Sequence, residues 1–132
     1  MANNRTKTLG AVHVAGTGVK ISNNIIWDNV DCEDATVDRN WSVYSGGSTA
    51  NVKYNCTTRI ADLTGEGNID EDPLFVDGVA PAIRPVSPCR NKGDNALGAT
   101  SATDLLGNPR IKGRKIDIGC VECSPGFSLI AR

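Results

Sequence analysis

Between Gly10 and Asn29 the chain breaks its pattern too often to be helical. Val12 and Val14 flank His13, and Val19 and Ile21 flank Lys20, which is the two-residue period of a half-buried strand. Gly16-Thr17-Gly18 interrupts them as a turn, Asn23-Asn24 is a second break, and Ile25-Ile26-Trp27 is a third short apolar run. Strands of about three or four residues joined by bends this short leave no room for a helix. Two arrangements satisfy them. One is a set of antiparallel hairpins; the other is one coil of a parallel β-helix, in which each strand pairs with its copy one coil along. Either way, His13 points outward if Val12 and Val14 point in.

A later stretch echoes the first. Val52-Lys53-Tyr54-Asn55 has the polarity of Val19-Lys20-Ile21-Ser22. Aligning them at an offset longer than one coil means that residues 30–49 include an excursion, with the acidic Asp31–Arg39 stretch as a loop and Trp41 and Tyr44 within the excursion. Independently of that alignment, Asn24 and Asn55 read as equivalent bends on successive coils, where stacked amides satisfy each other. Further on, Ser101 or Thr103 is a candidate cap for a helix over 101–106 that Gly107-Asn108-Pro109 would stop, and Ile116–Val121 reads as the last strand. The organisation expected is a disordered polar segment at 1–8, a single module over 9–123, and a tail at 124–132 carrying Phe127, Leu129 and Ile130.

Composition agrees with an all-β chain: aromatics are only 5%, against 14 Gly and 6 Pro in 132 residues. The 14 Lys and Arg nearly balance the 15 Asp and Glu, so there is no basic excess for nucleic acid or an anionic membrane. No apolar run approaches a membrane span, and no signal peptide is visible at the start of the chain.

The five cysteines, Cys32, Cys56, Cys89, Cys120 and Cys123, are odd in number, so at least one is unpaired within a monomer. Cys120 and Cys123 invite a zinc or redox reading, but in a strand they point to opposite faces, the chain has no second such pair, and its single His13 lies far away in sequence. Buried thiols acting as small apolar side chains are the expectation, with a disulfide from Cys89 to Cys120 or Cys123 left open.

Candidate binding residues fall in and near the excursion. Trp41 and Tyr44 offer aromatic faces that suit a sugar ring, whereas Trp27 lies in an apolar run and reads as core. Asp28 and Asp31 are nearby acids, and with Glu33 and Asp34 they are the pool for a glycosidase acid pair. Asp70, Asp72 and Asp77 are a candidate calcium cluster, although Thr64 and Pro73 break the EF-hand pattern; the competing reading has Asp70 and Asp72 bonding turn backbone before Pro73.

Several segments in order resemble the C-terminal end of secreted right-handed parallel β-helix proteins, the pectate-lyase-like, choice-of-anchor type. They are Asn23–Asn29, Gly65–Asp77, Ser87–Asn95, Thr103–Ile111 and Asp117–Glu122. The resemblance implies a short right-handed parallel β-helix of about three coils with a loop-rich C-terminal cap. It implies an extracellular or cell-surface, carbohydrate-associated bacterial protein, and a structural or binding module instead of an enzyme, since the central coils that carry catalytic groups in such proteins are mostly absent. The alternatives are a polysaccharide lyase or glycoside hydrolase using loop carboxylates, and an adhesin-like protein-interaction surface. A short β-helix also leaves its first coil open, so a homo-oligomer that covers this end is expected, with polysaccharide as the other partner.

Overall fold

The computed structural model describes residues 2–76, 81–98, 102–111 and 114–123. The chain is all-β. Its strands are β1 (Arg5–Thr6), β2 (Val12–Val14), β3 (Ile21–Ser22), β4 (Ile25–Ile26), β5 (Val30–Asp31), β6 (Trp41–Val43), β7 (Val52–Lys53) and β8 (Cys56–Thr57). Among the described residues the only helices are one 3-10 turn, Ile60–Asp62, and one α-helical turn, α1 (Asn95–Gly98).

Every strand pair is parallel, and every partner lies four strands along. β1 pairs with β5, β2 with β6, β3 with β7 and β4 with β8. Hairpins, the first of the two arrangements the sequence allows, would have given antiparallel neighbours. A third layer begins above β8, where Ile69 forms a parallel bridge to Cys56 and the Glu66 carbonyl accepts from the Tyr54 N–H.

Asparagine amides hold this register. Asn24 donates its backbone N–H and its side-chain amide to Asn55 Oδ1, at 3.0 and 3.3 Å. Asn55 does the same to Asn68 Oδ1, at 3.0 and 3.1 Å. The expected stacking of Asn24 on Asn55 is therefore present, and it continues one layer further. A second ladder runs Asn4 to Asn29 to Asn40 with the same double donation. Each of these asparagines immediately precedes an extended residue. Five of the six follow a residue in the left-handed region: Asn3, Asn23, Asp28, Tyr54 and Gly67. The corner of the fold is thus a left-handed residue, an Asn and a strand. Asn, Asp and Gly tolerate that conformation; Tyr54 is the costly exception.

Two cores lie on either side of β4. Neighbouring residues of a strand face opposite ways, so Ile26 enters one core and Ile25 the other. The first core joins Ile26 to Val14, Trp41, Val52 and Leu63. The second joins Ile25 and Cys56 to Ile83, Cys89 and Ile118 from the C-terminal part. That part docks on the strand layer through the Gly119 N–H, which donates to the Asn23 carbonyl, and through the Asn23 side chain, whose amide donates to the Asp94 carbonyl and accepts the Asp94 N–H.

Several expectations are corrected. Residues 30–49 do include a turn that leaves the strand layer, between β5 and β6, and it returns through a Val30–Asp38 bridge; Trp41, expected within that excursion, lies instead in β6. Val52 pairs with Ile21, not Val19, because the Asn24–Asn55 stack sets the register. Arg5–Thr6, within the polar segment at 1–8, forms β1. Residues 102–106 are not helical: Asp104 Oδ1 accepts the N–H groups of Leu106 and Asn108, which tightens a loop closed by a Thr103–Pro109 bridge. Ile116–Val121 is buried along much of its length but forms no strand, since Gly119 at φ +119° turns it away from any ladder. Ser101 and the 124–132 tail with Phe127, Leu129 and Ile130 lie outside the described residues.

Candidate functional site

The outer face of the β2–β6 pair gathers polar and aromatic side chains. Parallel register sets His13 directly opposite Ser42. His13 Nδ1 lies 2.8 Å from Ser42 Oγ, and the Gly10 N–H donates to the same oxygen at 2.9 Å. The two-residue period then places Tyr44 beyond Ser42 on the same side. The Tyr44 ring meets the His13 imidazole edge to face, centroids 6.5 Å apart at 79°. Tyr44 is 62 % exposed and His13 is exposed, as the alternation of Val12 and Val14 requires. The result is a rigid aromatic pair beside a fixed hydroxyl. A close strand approach underlies it: a side chain at Gly10 would collide with the Trp41 main chain.

The structure scatters the other residues suggested for ligand binding. Trp41 is 3 % exposed, packs in the first core and donates its indole N–H to Thr57 Oγ1 at 2.5 Å, so it has no face to offer a sugar. Its strand neighbour Ser42 points outward, and the alternation that exposes Tyr44 is the one that buries Trp41. Asp31 is 6 % exposed. Its Oδ1 accepts from the backbone of Glu33 and Asp34, and its Oδ2 from Arg39 Nε and Nη2 at 3.0 and 2.8 Å. The Glu33 N–H and then Arg39 hold its carboxyl below the ordinary range. Asp34 is likewise lowered by the Thr36 hydroxyl and N–H. A glycosidase acid needs the opposite shift, so neither carboxyl suits that role. Asp28 is exposed at the left-handed bend between β4 and β5, away from the β2–β6 pair in the strand order. Trp27 is half-buried against the second core.

Of the calcium candidates, Asp72 accepts the Leu74 N–H at 2.8 Å as an Asx turn, Asp70 is exposed, and Asp77 lies outside the described residues. Among the described residues no group of three His, Cys, Asp or Glu side chains is placed to hold a metal ion.

Two groupings are not legible in the sequence. One is the His13–Ser42 contact, which joins residues far apart in the chain. The other is an acid cluster in the C-terminal part. Glu122, 4 % exposed, accepts from Arg110 Nη1 at 2.6 Å and from the Asp117 N–H at 3.1 Å. Burial pushes its carboxyl up to about 7. For Asp104, burial also acts upward, but N–H donors from Glu122 and Asn108 outweigh it and hold the group below its ordinary value. Asp117 accepts from Asn91 and Cys123. All three carboxylates thus tie loops together. The one signal of this cluster is its burial-prone setting, Ile116-Asp117-Ile118 and Val121-Glu122-Cys123, where acids alternate with apolar residues.

Among the described residues no helix is long and apolar enough to cross a membrane. No protein-family model, curated protein or solved structure matches this chain.

Proposed function

We propose that the chain is a short right-handed parallel β-helix module, the terminal part of an extracellular protein, that binds carbohydrate without cleaving it. The observation that carries the binding reading is the exposed Tyr44 ring braced by His13 beside the Ser42 hydroxyl. An aromatic face stacks on the C–H face of a sugar ring, and the adjacent hydroxyl and imidazole give its hydroxyls partners. Support for the winding comes from the four parallel pairs, each shifted by the same four strands. Crossover connections between parallel strands are right-handed in nearly all proteins, which favours that hand here.

Among the described residues, β1 to β4 pair only with β5 to β8, and a second copy is the partner inferred for their other edge. Sedimentation should then report a dimer or larger species, and a purely monomeric chain at micromolar concentration would remove this part of the reading.

The binding test is a titration of the full chain with oligosaccharides of pectic, xylan and glucan type, followed by backbone NMR. Saturable shifts at β2 and β6, lost in Tyr44→Ala, are expected, with the sugar recovered intact. Appearance of new reducing ends or unsaturated products would replace binding by cleavage. Absence of any shift across the panel would leave a protein-interaction surface as the better description.

A further inference from the structure

We propose that Ser42 and His13 form a nucleophile–base pair that removes acyl esters, with acetyl groups carried by the bound carbohydrate as the substrate class. The choice of substrate rests on the carbohydrate reading, and the reaction leaves glycosidic bonds intact. His13 is the single histidine of the chain, and it faces Ser42 across the parallel register of β2 and β6. Its Nδ1 lies 2.8 Å from Ser42 Oγ, in a contact open to solvent. The Gly10 N–H donates to the same oxygen at 2.9 Å. That bond occupies a lone pair of Oγ and leaves the hydroxyl proton to point at Nδ1, so the neutral imidazole carries its own proton on Nε2. The Tyr44 ring, edge to face with the imidazole at 6.5 Å and 79°, restricts how the imidazole can turn. A hydroxyl, a base within hydrogen-bond reach and a third group that orients the base are the arrangement that activates a serine. Three other serines bond to the main chain instead: Ser22 Oγ donates to the Leu97 carbonyl, Ser87 Oγ donates to the Pro73 carbonyl, and Ser48 Oγ accepts the Ala50 N–H.

A sugar stacked on Tyr44 brings its ester groups beside Ser42, because the two residues share one face of the chain. Ser42 Oγ attacks the ester carbonyl carbon while its proton passes to His13 Nδ1. The Gly10 N–H supports the charge that develops on Oγ as the proton leaves. When the tetrahedral centre collapses, the bond from carbonyl carbon to sugar oxygen breaks, and Nδ1 returns its proton to that oxygen. The sugar hydroxyl is then free and the acetyl group is held on Oγ. Water attacks the acyl carbon and gives a proton to Nδ1; the bond from carbon to Oγ breaks, Oγ recovers the proton, and acetic acid leaves. In sum, ester and water become alcohol and acid, with no electrons exchanged. Among the described residues no carboxylate bonds to the imidazole, whose partners are Ser42 and Tyr44. Turnover is therefore slow compared with a serine, histidine and aspartate triad.

The test treats the full chain with an alkyl fluorophosphonate, which needs no sugar site, and maps the adduct by peptide mass. Expected is a label on Ser42, formed about 100-fold or more slowly in His13→Gln. His13 is exposed, so the melting temperature of His13→Gln should match wild type, which separates lost chemistry from lost fold. In parallel, an acetylated xylan-type oligosaccharide should release acetate with its glycosidic bonds intact, and Ser42→Ala and His13→Gln should each abolish the release. An unlabelled Ser42, or one labelled equally fast in His13→Gln, overturns the proposal even where unacetylated oligosaccharides still bind at β2 and β6. A labelled Ser42 with no acetate released overturns the esterase reaction. Unacetylated oligosaccharides that fail to bind count against the carbohydrate reading alone, and the phosphonate arm still decides the pair.

Discussion

At the residue scale, asparagine fixes a register that is usually left to hydrophobic pattern. Asn55 is fully buried, and its amide and backbone bond to Asn24, Asn68, Ile21 and Lys53. Asn55→Ala removes the side-chain partner of the part-buried Asn24 N–H and Ile21 carbonyl, and a group left unsatisfied away from water costs about 1–3 kcal/mol. Urea unfolding should report a loss of that order or larger, whereas Tyr44→Ala, exposed, should stay within about 0.5 kcal/mol of wild type. Glu122 sets a pH dependence. Its carboxyl is raised in the folded chain, so between its ordinary value of 4.5 and about 7 the folded state holds a proton that the unfolded state has released. Stability from this group is complete at low pH and declines as pH rises through that window, by about 1.4 kcal/mol for each pH unit crossed. Asp31, Asp34 and Asp104 act in the other sense, contributing above the ordinary carboxylate range and fading as pH falls below it. The denaturation midpoint should therefore be higher near pH 5 than near pH 8, and Glu122→Gln should flatten that difference.

At the element scale, the corner explains both what was legible and what was missed. Asn23-Asn24, Asp28-Asn29 and Gly67-Asn68 announce themselves as left-handed residue plus Asn, and the first of them reads as a break in the sequence. Tyr54-Asn55 does not, because tyrosine rarely takes that conformation; its ring is instead packed over Gly67, where any side chain would collide with it. A side chain at Gly65 would likewise collide with the Val52 carbonyl. Gly65→Ala must push the third layer off β7, and a loss of about 1–3 kcal/mol is expected from overpacking. Strand β4 offers a sharper contrast. Ile26→Ala hollows the first core and Ile25→Ala the second, each at about 2–5 kcal/mol. Hydrogen exchange should then show Ile25→Ala loosening residues 83–118 selectively, and Ile26→Ala loosening β2 and β6. Equal effects everywhere would mean that the two cores unfold as one.

At the scale of the whole molecule, one strand layer is shared by two cores, and among the described residues His13 and Tyr44 on the outer face of β2–β6 are exposed. Local sequence was enough for the extended and bent character of the chain, for its all-β class and for the outward turn of His13, because these follow from steric preference and two-residue alternation. It was also enough to pair Asn24 with Asn55. It misplaced Trp41, since a large aromatic in an acidic neighbourhood reads the same whether its strand lies over a core or over water. Which strand sits on which, which face of each looks inward, and that His13 meets Ser42 were decided by tertiary structure alone. The reason is physical: parallel partners come from connections of unequal length, so no fixed period marks them, and only stacked amides and filled cores select one register from its neighbours.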